Sequence, residues 1–208
     1  MKNTRSLFSL PWRKPARCLA MLVAIAAATH SEIRAEPPKA ELIVPGSNIG
    51  KTFLGSNGAY YIKRLPPETA SEAGMSQNHI VWLSGKPPNT RSLYIHTTAN
   101  GAMDVKPVDG VTIDEIRITS PEFSTAHGIH CGSSLAQILA AFPKAQPPDA
   151  QTGNIYIDSA HGIAFEFQGN AGNDSPCIAI TIFPAGSPRF TPQEQVDELI
   201  KDHPPKNP

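Results

Sequence analysis

Apolar residues along the chain occur in short segments of two different periods. After Gly55, and again after Gly132, they recur at helical spacing, and Pro66 or Pro143 ends the segment. Behind each predicted helix, apolar and polar residues alternate with a period of two, which is typical of half-buried strands. The predicted strands lie at positions 79–83, 92–98, 102–108, 111–118, 154–158, 162–168 and 177–183.

The two helical segments match each other at a constant offset of 77 residues, which pairs Gly55 with Gly132 and Pro66 with Pro143. Because a short helix buries little apolar surface alone, each must pack on the strands that follow it. The sequence therefore predicts an α+β fold with two tandem repeats, each a short helix packed on a three- to four-stranded antiparallel meander. Whether the two repeats share one continuous sheet stays open.

Turn and capping signals complete this domain plan. Asn100-Gly101 is a strong hairpin signal. Thr191 and Glu194 form a capping-box pattern with Pro192 at the first helical position, which predicts a short C-terminal helix. The predicted organisation is a signal peptide at 1–35, a linker at 36–46, repeat units at 47–120 and 121–186, and a short helix with a disordered tail at 187–208.

The N-terminus has the order of features found in export signals. Five basic residues precede an apolar run at 18–28, which has 11 residues and is too short to cross a membrane, since a span needs about 20. Small residues allow cleavage after Ala28 or after Ala35, and both sites stay open. The sequence therefore predicts a protein that is periplasmic or secreted after cleavage.

Removing that segment makes the chain mildly acidic. The first 35 residues hold six of the 18 Lys and Arg residues and one of the 18 Asp and Glu residues, which leaves 12 against 17, or about −5. Nucleic-acid binding needs basic clusters, so this balance argues against it, and against anionic membrane surfaces. No later stretch is long and apolar enough to span a membrane.

Cys131 and Cys177 are the two cysteines behind the export signal. In an oxidising compartment two cysteines predict one disulfide. The bond would close a loop of about 47 residues and stabilise the fold by roughly 4 kcal/mol in the chain-entropy account. Two buried, unlinked thiols are the alternative.

Two clusters carry residue types suited to catalysis. His127, His130 and Cys131 are possible zinc ligands, but histidines three apart in an extended stretch do not converge. Asp158 and His161 flank a serine, yet no G-x-S-x-G elbow is present. The sequence therefore predicts no catalytic residues, no metal and no cofactor. The alternative is a small hydrolase or metal-dependent enzyme that uses the His127, His130 and His161 region.

Three aromatic residues are candidates for a recognition surface. Tyr60 and Tyr61 are adjacent on the first predicted helix, so both cannot face the same core, and Trp82 lies on the next strand. Tyrosine and tryptophan are enriched in binding hot spots. We therefore predict binding roles for Tyr60, Tyr61 and Trp82.

The repeat plan also resembles known exported proteins. The helix start at 132–143 reads Gly-Ser-Ser-Leu-x-x-Ile-Leu-x-x-Phe-Pro, and element order over 47–184 is similar to that of the β-lactamase-inhibitor-protein architecture and of the SmpA/BamE-like outer-membrane-assembly lipoproteins. The lipid-anchor cysteine of the latter has no counterpart, because Cys18 stands at the start of the apolar run and not at a cleavage site. The resemblance implies a non-enzymatic protein-binding module, such as an inhibitor or envelope accessory, with an unknown protein partner in the cell envelope.

Overall fold

The structure is a computed structural model that describes residues 41–62, 65, 68–99, 110–149 and 152–202. The described residues form eleven strands and three helices, and the strands build one sheet of seven and one of four. The expected α+β fold of two tandem helix-on-meander repeats is therefore wrong. The protein is mostly β, because the helices are too short to form a layer and the strands merge into a common sheet.

The larger sheet is antiparallel throughout and runs through both predicted repeats. Its strand order is β4-β5-β6-β7-β11-β10-β9. β7 pairs with β11, and Ile118 lies opposite Ile180. Because both faces of these central strands are buried, joining them removes two exposed edges at once. The strands are β4 (Ala70–Gly74), β5 (Gln77–Ser84), β6 (Arg91–Ala99), β7 (Val111–Ile118), β9 (Ile155–Asp158), β10 (Ile163–Phe167) and β11 (Cys177–Ile182).

The smaller sheet comes from segments in which the sequence shows no strand pattern. It contains β1 (Glu41–Val44), β2 (Asn48–Ile49), β3 (Thr52–Phe53) and β8 (Phe123–Thr125) in the order β3-β2-β1-β8. β1 and β8 are parallel, and the other pairs are antiparallel. Strands of two to four residues are too short for a period of two to be visible.

The three helices are α1 (Gly58–Ile62), α2 (Leu135–Ala141) and α3 (Gln193–Asp202). α2 begins with the capping that its sequence indicates, since the Ser134 side chain accepts from the Gln137 backbone and the Gln137 side chain accepts from the Ser134 backbone. α1 has five residues, about half of the expected length. It therefore contributes little to a helical layer.

Six of the seven predicted strands are confirmed as β5, β6, β7, β9, β10 and β11. The remaining predicted strand, at 102–108, and the Asn100-Gly101 turn lie outside the described residues. The predicted signal peptide at 1–35 and the predicted tail at 203–208 lie outside them as well. The predicted C-terminal helix is confirmed as α3.

The two faces of the seven-stranded sheet differ in chemistry. The apolar face carries isoleucines and phenylalanines of the central strands, and it packs against Ile43 and Ile49 of the small sheet and Ile138 of α2. The opposite face, here called the polar face, is covered by residues 187–202, here called the C-terminal strap. Val196 and Leu199 of α3 anchor the strap on β4 and β5.

Two tight turns, one at Gly46 and one at Gly162, meet just before the start of β10. Gly162 has φ +71°, and a Cβ there would lie 2.9 Å from the Gly46 Cα and closer still to the Phe183 carbonyl oxygen. Gly169 has a similar φ of +63°, but a Cβ there would meet nothing within 4 Å. An alanine at Gly169 would therefore meet backbone strain alone, whereas an alanine at Gly162 would meet the same strain and also clash with neighbouring backbone atoms.

We expect Gly162→Ala to lower the free energy of unfolding by about 3 kcal/mol or more, and Gly169→Ala by about 1 kcal/mol. The difference arises because only the first substitution also forces three backbone segments apart. Urea unfolding of both variants measures it. Equal losses would contradict the close approach of the turns.

Candidate functional site

Five side chains that are ionisable or polar lie side by side on the polar face of the sheet. They are at most 5% exposed. The strand register places Tyr94 opposite Arg117 and His96 opposite Glu115, and Glu166 belongs to β10. Because buried charges are costly unless they are paired, their partners determine what this surface can do.

A β-bulge in β7 adds Asp114 to this surface. The pairing of β6 with β7 shifts just after His96, so Asp114 is an extra residue whose side chain joins that of Glu115 on the polar face. Its carboxylate accepts from His96 Nδ1 at 2.5 Å and from Thr98 Oγ1 at 2.5 Å. Burial alone would raise the pKa of Asp114, but these hydrogen bonds outweigh it, and the pKa is lowered.

The C-terminal strap supplies partners for three carboxylates of the polar face. Alternate residues of its extended part point toward the sheet, as in a strand, although this part pairs with no strand in the described sheets. The strap is therefore held by side chains rather than by a ladder. The contacts join Arg189 Nε to Asp114 at 3.6 Å, the Thr191 N–H to Glu115 at 2.6 Å and the Gln193 N–H to Glu166 at 2.9 Å.

Hydrogen bonds also connect Glu115 to His79 through the strap. Thr191 Oγ1 lies 3.1 Å from Glu115 Oε2 and 3.0 Å from the Tyr94 hydroxyl. The Tyr94 hydroxyl lies 2.7 Å from His79 Nδ1. Thr191 has a single hydroxyl proton, so it donates to Glu115 or to Tyr94 but not to both.

Burial shifts the pKa values of the groups at both ends of this hydrogen-bond chain, Glu115 and His79. It raises the pKa of Glu115 to about 7, against the hydrogen bonds from Thr191, which lower it. Burial also lowers the pKa of His79, as does the neighbouring His96, whose ring centroid is 4.7 Å away. For Tyr94, burial and the Glu115 charge raise the pKa well above its usual value, so the phenol keeps its proton.

Arg117 connects the sheet to the strap, because its guanidinium bonds to both. Its Nη2 donates to Glu166 at 2.7 Å and to the Gln193 side chain at 2.7 Å. Nε and Nη1 of the same guanidinium are buried without a partner among the described residues. Removing Glu166 would leave an uncompensated charge, which is strongly destabilising.

The hydrogen bonds of His96 do not form a base–nucleophile pair. Nδ1 faces Asp114, and Nε2 lies 3.2 Å from Gln77 Oε1. The Arg189 Nη1 lies 3.3 Å from both ring nitrogens, which places the guanidinium over the ring. Nucleophilic catalysis needs a hydroxyl or thiol beside the base, and within the described ranges His96 has neither as a partner. The cluster fastens the strap.

A cleft of about 910 Å³ lies between α3 and the end of the sheet. Its floor includes Ile178 and Glu166, and α3 lines it with Glu194, Asp197 and Glu198. Lys201 and Arg91 are its basic residues, and Arg91 is paired with Glu122 outside the cleft. The cleft is therefore acidic on its helical wall.

A second cavity, of about 440 Å³, opens on the other face of the same sheet end. It is lined by the apolar side chains of Leu65, Trp82, Leu93, Ile118 and Phe123, among others, with charged groups of both signs around them. The lining also includes Leu83, Arg91 and Ser92, which line the acidic cleft as well. The two cavities are thus separated by the ends of β5 and β6.

The aromatic residues predicted to bind a partner are separated in the structure. Trp82 is 7% exposed and lines the apolar cavity. Tyr60 is 49% exposed on α1 and lines neither cavity. The side chain of Tyr61 lies outside the described part of the chain.

Of the three histidines of the alternative enzyme hypothesis, His127 and His161 both pack edge-on against Phe142. His130 Nδ1 donates to the carbonyl of the following residue at 2.8 Å, and His161 Nδ1 lies 2.7 Å from Asp158. His127 packs edge-on against Phe142, at 6.1 Å between ring centroids. Among the described residues, no group of three or more His, Cys, Asp or Glu side chains is placed to hold a metal ion.

Cys131 and Cys177 are buried free thiols in the structure, so the predicted disulfide is not formed there. Cys131 Sγ donates to the Ile118 carbonyl at 3.5 Å, and Cys177 Sγ to the Ala179 carbonyl at 3.0 Å. Burial raises the pKa of Cys131 to about 12 and that of Cys177 well above its usual value.

Sequence reasoning missed the polar face, although one signal was available. Asp114 and Glu115 are consecutive acidic residues inside the alternating segment 111–118, and such a break indicates a bulge. The capping role predicted for Thr191 is not seen, because its hydroxyl contacts Glu115 and Tyr94. The capping-box pattern is local, whereas the contacts that Thr191 makes in the structure are long-range.

Comparisons with known proteins leave the chain without a family. No protein-family model and no curated protein matches it. Among solved structures, the uncharacterized protein yfeY from Escherichia coli is similar over 69% of this chain and 94% of its own, with 14% identity and a TM-score of 0.31. This likeness assigns neither fold nor function. No helix in the described ranges is long and apolar enough to cross a membrane.

We expect the two thiols to resist alkylation in the native protein, because burial keeps both protonated and shielded. After unfolding in denaturant without a reductant, two thiols should react per chain when the protein is prepared as residues 36–208, which hold these two cysteines alone. Titration with a chromogenic disulfide measures both states, and Cys177→Ala should leave one. No reactive thiol in the unfolded protein would show instead that the pair is oxidised.

Proposed function

We propose that the protein is an exported, non-enzymatic binding protein whose partner is another protein of the cell envelope. The order of basic, apolar and small residues at the N-terminus supports export to the periplasm or beyond. The resemblance to inhibitor and envelope-assembly proteins supports a binding role. An inhibitor or an assembly accessory would both act in this way.

The observation that carries the proposal is the meeting of two unlike cavities at one end of the sheet. One is apolar and reaches Trp82, and the other is polar and acidic. They are separated only by strand ends that include Leu83, Arg91 and Ser92. A single extended segment of a partner could therefore occupy both.

The chemistry of the cavities defines that segment. The apolar cavity of about 440 Å³ falls within the usual size of binding sites, about 300–1,000 Å³, and accepts an apolar anchor. Glu194, Asp197 and Glu198 on the helical wall favour basic side chains next to that anchor. We therefore propose a partner segment that combines an apolar anchor with lysine or arginine.

The same geometry favours binding over catalysis. The buried polar groups of the polar face hydrogen-bond to one another and to the strap, and they do not converge on either cavity except at Glu166 and Gln193. A catalytic site would present an acid, a base or a nucleophile to the substrate. Here the side chains with shifted pKa values fasten the fold.

We expect a photoreactive phenylalanine at position 84 to cross-link a discrete envelope protein in cells, because Ser84 is exposed and lines the apolar cavity. The same group at Ser71, exposed on β4 and outside both cavities, is the matched control. Glu198→Lys should reduce the yield at position 84 about tenfold, since it reverses a charge of the cleft.

The control for that charge reversal is Asp174→Lys, which changes an exposed residue that lines neither cavity. It should leave the cross-link unchanged. Mass spectrometry identifies the captured peptide, which should contain an apolar residue beside a basic one. Equal labelling from positions 71 and 84 would contradict a specific site at this end of the sheet.

A further inference from the structure

We propose that the C-terminal strap is a movable wall of the acidic cleft, here called the gate. A chain of hydrogen bonds through Glu115, Thr191, Tyr94 and His79 holds the strap closed on the sheet, and the charging of Glu115 releases it. The strap forms one wall of the cleft through α3, so the cleft exists only while the strap lies on the sheet. The inference rests on the proposed function only where it calls the cleft a binding site.

The closed state has a consistent set of donors when Glu115 is protonated. Its hydroxyl donates to Thr191 Oγ1, Thr191 donates to Tyr94, and Tyr94 donates to His79 Nδ1, over distances of 3.1, 3.0 and 2.7 Å. Each hydroxyl then donates one bond and accepts another, and Glu115 carries no buried charge.

Ionisation of Glu115 forces the opposite order. The carboxylate can only accept, so Thr191 donates to it, Tyr94 donates to Thr191, and His79 has to carry a proton on Nδ1 that faces Tyr94. Glu115 is 1% exposed, and no cationic side chain of the described residues lies within ion-pair distance of it. A buried carboxylate with hydrogen bonds but no cation beside it is costly, and lifting the strap exposes it to water.

The strap can lift while the sheet stays intact. Its extended part belongs to no described sheet, and Gly186 precedes it in a left-handed conformation with φ +80°. α3 is held mainly by Val196 and Leu199 on a small apolar cluster. Regions with few buried contacts open locally at lower cost than the core.

The other charged groups around Glu115 either pair with each other or titrate in the opposite sense. Asp114 pairs with His96 and Arg189, and Arg117 pairs with Glu166. The lowered pKa of His79 means that acid favours opening below about 6.5, because the open state then binds a proton first. The groups that act on Glu115 directly are Thr191 from the strap, Tyr94 and His96 from β6, and Asp114 from β7; the other ionisable groups of the polar face and strap are His79, Arg117, Glu166 and Arg189.

The sign for Glu115 follows from its raised pKa in the closed state. Between its ordinary pKa of 4.5 and the raised pKa of about 7, the open state releases the proton while the closed state retains it. Opening therefore becomes easier as pH rises through this window, by roughly tenfold per pH unit, and levels off above it.

The test compares amide hydrogen exchange of the purified protein with that of Glu115→Gln from pH 5 to pH 8. The amide of glutamine imitates the protonated acid. The ratio of strap opening in the parent protein to strap opening in the variant therefore isolates the ionisation of Glu115. For peptides within 189–202 we expect this ratio to rise about tenfold per pH unit up to pH 7 and then to level off. Peptides within 155–167, in β9 and β10, should show a constant ratio.

A flat ratio in the strap would overturn the gate, and so would a parallel rise in the sheet peptides, since that would be global unfolding. Thr191→Val should speed strap exchange about tenfold at pH 6, because it cuts the chain. Thr125→Val removes a buried hydroxyl that accepts from Ile129 elsewhere and should leave strap exchange unchanged. Equal effects of the two valine variants would contradict a specific role of Thr191.

A basic-apolar peptide, Lys-Leu-Lys-Leu-Lys, separates the gate from the proposed function. If it binds the cleft, it should slow strap exchange, and at pH 8 it should bind Glu115→Gln more tightly than the parent protein, because that variant stays closed. A pH-dependent ratio without any effect of the peptide supports the gate and counts against the proposed partner chemistry. Peptide binding with a flat ratio overturns the gate alone.

Discussion

The burial of ionisable groups on one face of the central sheet is the constraint on which the rest of the structure depends. Glu115, Arg117 and Glu166 lie where an ordinary sheet would place apolar side chains, and none of them is tolerable there without partners. Arg117 and Glu166 neutralise each other within the sheet, but Glu115 has no such cation. The C-terminal strap answers this need with backbone N–H groups and hydroxyls. The strap is thus held in place by ionisable groups that lie about 75 residues earlier in the sequence.

This arrangement ties the fold to the shape of the surface. The strap covers the polar face, and the same placement sets α3 at the distance from the sheet that leaves the acidic cleft. The apolar cavity on the opposite face depends instead on the small sheet and on Leu65. One cavity therefore relies on titratable contacts and the other on packing, although strand ends at Leu83 and Arg91 border both.

How far the sequence predicted these features depends on the range of the interactions involved. Alternation identified most strands of the large sheet, because period-two burial is a local property. The tandem-repeat interpretation failed because the pairing of β7 with β11 and the small sheet of β1 and β8 are long-range, and no local pattern encodes them. The local pattern predicts a helix cap at Thr191, because the partner that it has in the structure, Glu115, is distant in sequence. The acidic pair at Asp114 and Glu115 was the one local sign of the bulge, and it marked the site itself.

The polar face also explains why titratable residues accumulate here without a catalytic arrangement. Shifted pKa values mark both active sites and structural networks, and the two differ in what the groups face. In this protein the proton-bearing atoms of Glu115, Tyr94 and His79 face one another and the strap, so a change of protonation alters the strap before any outside molecule. Because the strap is also a wall of the cleft, the proposed proton switch on the inside and the proposed partner binding on the outside would act on the same element, and linkage would then require that each affect the other.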